Sequence, residues 1–218
     1  MSEILQQRQN RMRRIDLYPV ISSEFTNGRP LTDVLKAVAD GGAKIVQLRE
    51  KNRVDAELFK LAEEYRCITQ AYNMLLIIDD AVDVALAVDA DGVHLGQEDL
   101  PIATARRIAP NLLLGCSTHN LDEAQKALAG DASYINIGPL FPTQTKSVSY
   151  PPVGLEQLKQ IIPYVKIPFT VMGGIKECHL PDLLALGATR IAMVTEITQA
   201  EDITARVKQL RSHWNSGC

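Results

Sequence analysis

The chain alternates eight times between short apolar runs and longer amphipathic segments. The runs are rich in Val, Ile and Leu and lie at residues 17–22, 43–49, 75–80, 92–96, 112–117, 134–139, 168–174 and 190–196. Consecutive apolar positions are typical of parallel strands that are buried on both faces. Helical patterns follow the runs at 31–42, 55–73, 81–88, 101–109, 120–130, 154–162, 178–186 and 200–213. This strict alternation predicts a parallel sheet whose strands are connected by helices.

Eight strand–helix units can close into an α/β single-domain (β/α)8 barrel, the TIM barrel. A doubly wound open sheet is the main alternative. No linker or low-complexity tract divides the 218 residues. We therefore predict one barrel domain at 17–213, an N-terminal extension at 1–16 and a C-terminal tail at 214–218. The extension is expected to be frayed or helical and to lie outside the fold, with its four arginines on a solvated face.

Composition limits the classes of partner. The formal net charge of −3 gives no general attraction to nucleic acid or to anionic membranes. No apolar run approaches the roughly 18 residues of a membrane span, and the polar N-terminus lacks the apolar core of a secretory signal. The four cysteines are scattered, without metal-binding spacing. We expect a cytoplasmic protein with small-molecule partners, and its state as monomer or homo-oligomer stays open.

Polar residues gather where the predicted strands end, which is the end that carries the active site in TIM barrels. They are Gln47, Arg49 and Lys51 at the second run, Asp79 and Asp80 at the third, His94 and Asp99 at and after the fourth, Ser117 and His119 at and after the fifth, and Thr143, Thr145 and Lys146 after the sixth. Since the carboxyl ends of all eight strands meet at one mouth of a barrel, this distribution predicts a ligand site there.

The residue types indicate phosphate chemistry. Arginine can bind phosphate oxygens in pairs and lysine acts as a point charge, so Arg49, Lys51 and Lys146 are candidate phosphate ligands. Asp80 and Asp99 could hold Mg²⁺, which proteins commonly bind through one or two carboxylates together with substrate phosphates. Small residues in MGGI and MVTE, after the seventh and eighth runs, favour a second phosphate site. Two anion sites predict two phosphorylated substrates or one bisphosphate.

Each of these residues also has a purely structural interpretation. Arg49 and Lys51 could belong to a solvated charge run, Asp80 and Asp99 could cap the helices that follow them, and His94 could be a hydrogen-bonded core histidine. Independent structural roles would not place all of these groups at the same end of successive strands. Their common position therefore favours a functional site.

The motifs VQLREK, DGVHLGQEDLP, STH, GPLFPTQTK, PVGLEQL and GGI together resemble the thiamine phosphate synthase family, over about residues 18–201. The resemblance implies a (β/α)8 barrel transferase that requires Mg²⁺. It would join 4-amino-2-methyl-5-hydroxymethylpyrimidine diphosphate to 4-methyl-5-(2-phosphoethyl)thiazole and release diphosphate. The reaction would be dissociative, with carbocation character on the pyrimidine methylene and no protein nucleophile.

The resemblance also implies roles for individual residues. The pyrimidine diphosphate would be bound by Gln47, Leu48, Arg49, Glu50 and Lys51, with Asp79, His94, Ser117 and Lys146 as further contacts. Arg49, Lys51, Ser117 and Lys146 would be the catalytic set, and Asp80 and Asp99 the Mg²⁺ ligands. Thr143, Gln144 and Thr145 would contact the thiazole, and Gly174, Val194 and Thr195 its phosphate.

Among several departures from the family pattern, two add negative charge. Asp79 stands where an asparagine is usual, and Glu196 brings a negative charge close to the expected thiazole phosphate. Three alternatives remain open. The chain could be a thiazole tautomerase that uses a histidine at the position of His119, a catalytically silent paralogue that binds a thiamine precursor, or an unrelated phosphate-binding barrel such as a sugar-phosphate isomerase.

Overall fold

A computed structural model describes residues 2–145 and 151–215. In these ranges eight parallel strands form a closed barrel in chain order. They are β1 (Leu17–Ile21), β2 (Ile45–Leu48), β3 (Leu75–Asp79), β4 (Gly92–Leu95), β5 (Leu113–Thr118), β6 (Tyr134–Ile137), β7 (Phe169–Val171) and β8 (Ile191–Met193). β8 pairs with β1, with Leu17 opposite Ile191. This closure confirms the TIM barrel and rules out the open sheet.

The helices surround the barrel. They are α1 (Glu3–Met12), α2 (Leu31–Asp40), α3 (Asp55–Ala71), α4 (Val82–Ala87), α5 (Ile102–Ile108), α6 (Leu121–Ala129), α7 (Gly154–Ile161), α8 (Leu180–Ala185), α9 (Thr195–Thr198) and α10 (Ile203–Asn215). Seven of them fall within the predicted helical segments, and α10 runs two residues past the predicted end at 213. Helix α1 lies in the N-terminal extension that was expected to be frayed or helical, and α9 is additional. Among the described residues, none of these helices is both long and apolar enough to cross a membrane.

Two helices differ in how they begin. The side chain of Asn120 caps α6 by accepting a hydrogen bond from the N–H of Glu123 at 2.9 Å. At α3 the cap residue is Val54, which makes no side-chain cap, and Asp55 is already helical. In the first turn of α3 the Asp55 carboxylate still stabilises the helix dipole.

The barrel sorts its side chains by the two-residue alternation of β-strands. Within β2, Ile45 belongs to the cluster inside the barrel, whereas Val46 and Leu48 belong to the layer between the strands and the helices. The same alternation holds in β6, where Tyr134 is interior and Ile135 packs towards the helices. Every second strand residue therefore points towards the barrel axis, and those near the carboxyl ends of the strands reach the mouth.

Helix α1 closes the amino-terminal end of the barrel. Leu5 and Met12 are buried in the same cluster as the interior strand residues. Arg8 is also buried; it donates to the Asn111 carbonyl at 2.9 Å and pairs with Asp89 at 3.1 Å. The segment is thus helical, but it does not lie outside the fold and Arg8 is not on a solvated face. The domain limits drawn at residues 17 and 213 stay a prediction.

Asp91 anchors this end of the barrel electrostatically. Its buried carboxylate accepts from Arg66 Nη1 at 2.8 Å and from the N–H of Leu76 at 2.9 Å, and it lies 3.5 Å from Arg8 Nε. Removing one partner of a buried ion pair leaves an uncompensated charge, which costs about 3–5 kcal/mol.

We expect Asp91→Ala to lower the free energy of unfolding by about 3 kcal/mol or more in urea denaturation. The control is Glu156→Ala, which breaks the exposed pair between Glu156 and Lys159 and should cost less than about 1 kcal/mol. Equal losses in the two variants would show that Asp91 does not anchor α1 and α3.

Candidate active site

A cavity opens at the carboxyl end of the barrel and collects most of the predicted site residues. Those lining it are Gln47, Arg49, Lys51, Asp79, Asp80, His94, Asp99, Ser117, Thr143, Thr145 and Val194. Asp80 and Asp99 are not helix caps, because Ala81 and Pro101 occupy the cap positions of α4 and α5. Lys146 lies outside the described residues, so its predicted role stays a prediction.

Two residues of the predicted substrate segment lie elsewhere. Leu48 is fully buried between the strands and the helices. The Glu50 carboxylate accepts from the N–H of Ser23 at 2.6 Å and pairs with Arg53 at 2.7 Å, which ties the loop after β1 to the loop after β2. Strand alternation explains both positions, because the residues next to Gln47 and Arg49 point to the other face. Neither side chain lines the mouth.

Asp80 reaches the mouth through a turn of the backbone. Asp79 already points inward, so a regular strand would direct its neighbour outward. The backbone of Asp80 is left-handed, with φ of 59°, and aspartate is among the few residues that adopt this conformation. Its N–H donates to the His94 carbonyl at 2.8 Å. Two successive carboxylates therefore face the same cavity.

The carboxylates and cations of the mouth form one charged cluster. Lys51 Nζ lies 3.3 Å from Asp79 Oδ2 and also bonds Asp80, and Arg49 Nε lies 3.6 Å from Asp79 Oδ2. Burial and the neighbouring Asp79 charge raise the pKa of Asp80 to about 6, against the effect of Lys51. Burial opposes the charge of Lys51, but Asp79 and Asp80 outweigh it and raise its pKa. The mouth thus holds more negative charge than its described cations balance.

This donor set suits Mg²⁺. Among the residues that the structure describes, no group of three or more His, Cys, Asp or Glu side chains is arranged to enclose a metal ion completely. Mg²⁺ does not need such a cage, because it commonly keeps its waters and binds one or two carboxylates and substrate phosphates. Asp80 and Asp99 line the same cavity. Burial first, and then the charge of Asp79, raise the pKa of Asp80, and a cation at this position would favour its ionised form.

A chain of hydrogen bonds runs beneath the mouth. Gln47 Nε2 donates to the Tyr18 hydroxyl at 3.3 Å, and the hydroxyls of Tyr18 and Tyr134 are 3.1 Å apart. His94 Nδ1 lies 3.1 Å from the Tyr134 hydroxyl, and its Nε2 lies 3.0 Å from Ser117 Oγ. His94 is therefore a hydrogen-bonded core residue that also lines the cavity.

The loop after β6 separates this mouth from an adjoining cavity of about 490 Å³. Thr143 and Thr145 bond each other at 3.0 Å and line both cavities. The second cavity also receives the predicted residues Gln144, Gly174 and Thr195. Gly174 has φ of 63°, and a Cβ there would lie 2.3 Å from the Pro142 carbonyl oxygen, so a side chain would clash with the β6 loop.

The sequence that forms the mouth and the adjoining cavity matches a known family model. The model is described as thiamine monophosphate synthase and matches residues 17–197 of the chain.

The chain belongs to the thiamine monophosphate synthase family.

Individual members of this family are similar over nearly their whole length. A thiamine-phosphate synthase from Chloroflexus aurantiacus is 44% identical over 196 residues, which cover 90% of this chain and 91% of that protein. A thiamine-phosphate synthase from Caldicellulosiruptor saccharolyticus is 41% identical and covers 89% of each chain. The solved thiamine phosphate pyrophosphorylase from Pyrococcus furiosus superposes with a TM-score of 0.86 at 36% identity, over 95% of this chain and 98% of that one. The comparisons support thiamine-phosphate synthase activity, a transferase reaction in thiamine biosynthesis.

One departure from the family pattern is compensated within the fold. Glu196 pairs with Lys176 at 2.9 Å and also bonds Arg206 of α10. Burial opposes its ionisation, but these two cations outweigh the burial and lower its pKa. The negative charge of Glu196 is therefore neutralised by Lys176 and Arg206 within the fold. Arg206 also pairs with Glu177 at 2.6 Å, so it links the loops after β7 and β8.

Sequence patterns did not single out several residues of the mouth. Phe25, Asn136 and Met172 line it, and Tyr18 and Tyr134 support it from below. Asn136 carried a usable signal, because it is a polar residue two positions after Tyr134 in an otherwise apolar run. Tyr18 and Tyr134 carried none, because aromatic residues in an apolar run usually indicate packing.

We expect Arg206→Met to lower the free energy of unfolding in a pH-dependent way. Hydrogen bonds from His213 and Arg206 lower the pKa of Glu177, and Lys176 and Arg206 lower that of Glu196. Carboxylates with a depressed folded-state pKa stabilise the protein above their ordinary value of 4.5 and lose this effect as the pH falls through the folded value. The difference between wild type and variant should therefore be largest above about pH 5 and shrink towards about pH 3.

Urea denaturation at a series of pH values measures this difference. The control is Lys208→Met, which removes an exposed positive charge from the same helix and should give a small difference at every pH. A loss for Arg206→Met that stays constant from pH 3 to pH 7, about the range over which Glu titrates, would contradict the assignment.

Proposed function

We propose that the chain transfers the 4-amino-2-methylpyrimidin-5-ylmethyl group from its diphosphate to 4-methyl-5-(2-phosphoethyl)thiazole, with Mg²⁺ as cofactor. The products would be thiamine phosphate and diphosphate. The observation that carries this proposal is the charged cluster of Arg49, Lys51, Asp79, Asp80 and Asp99 in one mouth, beside a second cavity whose lining includes Gly173, Gly174 and Thr195. The first suits a metal-bound diphosphate, and the second suits another phosphorylated substrate.

The leaving diphosphate would be bound at the charged cluster. Mg²⁺ held by Asp80 and Asp99 would neutralise part of its charge. Arg49 and Lys51 would then exchange their contacts with Asp79 and Asp80 for contacts with phosphate oxygens, since guanidinium and ammonium groups both favour these ligands. Lys146 would be a third cation that binds the diphosphate, and this role rests only on the resemblance to the family. Before this exchange, Arg49 and Lys51 offset the charge of Asp79, at 3.6 and 3.3 Å from its Oδ2.

The organic rings would bind between the interior residues and the β6 loop. Gln47, His94 and Ser117 form the polar floor of the mouth on which the aminopyrimidine would lie. Thr143 and Thr145 line both cavities, and therefore stand where the thiazole would meet the pyrimidine. The thiazole phosphate would reach the second cavity, near Gly174 and Thr195.

The reaction then follows from position and charge. The methylene C–O bond breaks and its electron pair leaves with the diphosphate, while the pyrimidine amino group donates electron density to the developing cation. The thiazole nitrogen supplies the pair for the new C–N bond and becomes positively charged. Holding the two reactants in one mouth supplies much of the acceleration, and the fixed cations stabilise the leaving charge. The Cys116 thiol is a poor nucleophile, since burial raises its pKa to about 11.

His119 carries the main alternative, the tautomerase. Its ring lines the mouth, and Nδ1 lies 2.6 Å from Glu123 Oε2. This contact would also orient a proton-transferring histidine. The charged cluster favours the synthase, because a tautomerase need not bind a metal diphosphate. We expect His119→Asn to lower the synthase turnover less than tenfold, whereas loss of a general acid–base residue costs roughly 100-fold or more.

The decisive measurement is the formation of diphosphate and thiamine phosphate from both precursors. We expect turnover with Mg²⁺ and none after its removal with a chelator. Asp99→Asn should lower kcat/KM roughly 100-fold, the usual size for a lost electrostatic contact. Asparagine keeps an oxygen to accept from the N–H of Gly96, the contact that Asp99 makes at 2.6 Å, so the loop shape is retained.

The matched control is Asp83→Asn, which removes an exposed carboxylate from the neighbouring helix α4 and should leave turnover unchanged. Binding of a precursor without turnover would favour the silent paralogue.

The cytoplasmic location expected from the scattered cysteines is also part of this proposal.

A further inference from the structure

The hydrogen-bonded chain beneath the mouth joins two predicted substrate contacts on opposite sides of the barrel. Gln47 lies on β2 and Ser117 on β5, and the links between them are Tyr18, Tyr134 and His94. All but Ser117 are buried, with at most 6% of each residue exposed. Buried polar groups need partners, so the direction of each hydrogen bond in the chain is constrained.

The direction can be worked out from the Gln47 end. Gln47 Nε2 is a donor, so the Tyr18 oxygen accepts there. Tyr18 has a single proton, and it is satisfied when it donates to the Tyr134 oxygen 3.1 Å away. Tyr134 must then donate its own proton to His94 Nδ1. A neutral imidazole with an accepting Nδ1 carries its proton on Nε2, which donates to Ser117 Oγ.

With the Gln47 amide oriented as in the structure, with Nε2 towards Tyr18, the opposite direction leaves a buried group unsatisfied. If His94 Nδ1 carried the proton, Tyr134 would have to donate to Tyr18, which already accepts from Gln47. The Tyr18 proton would then have no partner in this chain of contacts, which is costly in a dry interior. A doubly protonated His94 fails for the same reason.

Close packing holds the middle of the chain in place. Gly115 of β5 lies directly against it, and a Cβ there would be 2.2 Å from the Tyr134 ring and 2.4 Å from His94 Nδ1. The rings of His94 and Tyr134 are also in contact, with centroids 5.6 Å apart. The strand backbone therefore packs directly against the bond between Tyr134 and His94, and a side chain at Gly115 would displace both rings.

We propose that Tyr18 and Tyr134 are positioning residues that fix the hydrogen-bonding polarity of the mouth. Gln47 then presents its Oε1 as an acceptor, and Ser117, which accepts from His94, presents its O–H as a donor. An acceptor and a donor on one floor match an aminopyrimidine, whose amino group donates and whose ring nitrogens accept. The assignment rests on the proposed function and adds a basis for selecting 4-amino over 4-oxo pyrimidines.

The first test reads the His94 tautomer directly and does not depend on the proposed reaction. In ¹⁵N-histidine-labelled protein, long-range ¹⁵N–¹H spectra distinguish Nε2–H from Nδ1–H imidazoles, and His94→Gln identifies the signals. We expect Nε2–H in the wild type and a loss of this pure tautomer in Tyr134→Phe. A wild-type His94 that is Nδ1-protonated or doubly protonated would overturn the proposal.

The second test measures selectivity by calorimetry, with the 4-amino and the 4-oxo pyrimidine diphosphates titrated without thiazole. Loss of one fixed hydrogen bond is worth about tenfold, so Tyr134→Phe should lower the preference for the amino compound about tenfold. Tyr18→Phe allows the Gln47 amide to rotate by 180°, so that its Oε1 is no longer fixed as the acceptor. This variant should lower the preference for the amino compound by a similar factor. If Tyr134→Phe fails to fold, Tyr18→Phe carries this test.

The matched control is Tyr65→Phe. Tyr65 is fully buried and its hydroxyl donates to the Leu31 carbonyl at 3.1 Å, outside the hydrogen-bonded chain. This variant should leave both the tautomer and the preference unchanged. A preference that is the same in all three variants would overturn the role of the tyrosines. A wild type that binds neither pyrimidine would refute the proposed function. The tautomer measurement would still test the direction of the hydrogen bonds from Gln47 to Ser117.

Discussion

The closed parallel barrel imposes a two-residue alternation on every strand, and the site depends on that constraint. Gln47, His94 and Ser117 face the axis because they occupy inward positions of β2, β4 and β5. The residues at the alternate positions of the same strands pack against the helices, and the burial of their apolar side chains stabilises the fold. A shift of one residue in any strand would exchange these two sets. Stability and chemistry are thus divided between alternate positions of the same eight segments.

Charge balance is the second property that shapes the mouth. Three carboxylates and two cations line the described part of the cavity, and Lys51 contacts two of the carboxylates. Such a cluster is stable without ligand because its charges partly compensate one another. In the proposed reaction, Mg²⁺ would bind the carboxylates, and the diphosphate would bind the cations that these carboxylates release. The left-handed backbone at Asp80 makes this possible by turning a second carboxylate towards the axis.

The sequence allowed the barrel and most of the mouth to be predicted because both depend on local patterns. Parallel strands need apolar residues on both faces, and polar residues that end such runs must meet at one edge. The side chains of Leu48 and Glu50 do not line the mouth, and strand alternation alone would have separated them from Gln47 and Arg49 in the same motif. The cap of α3 and the packing of Arg8 could not be predicted, since they depend on contacts between distant segments. Tyr18 and Tyr134 become functional candidates only when closure brings β1 and β6 around one axis.

Helix α1 closes one end of the barrel in the part of the chain that the structure describes. Leu5 and Met12 fill the amino-terminal end together with the interior strand residues. In the proposed reaction, both substrates would therefore enter and both products would leave by the carboxyl-terminal mouth. A ligand that lies on the polar floor is therefore trapped beneath whatever binds after it. The pyrimidine, if it lies on that floor, has to arrive before the thiazole, and the geometry of a blind chamber would then impose an order on binding.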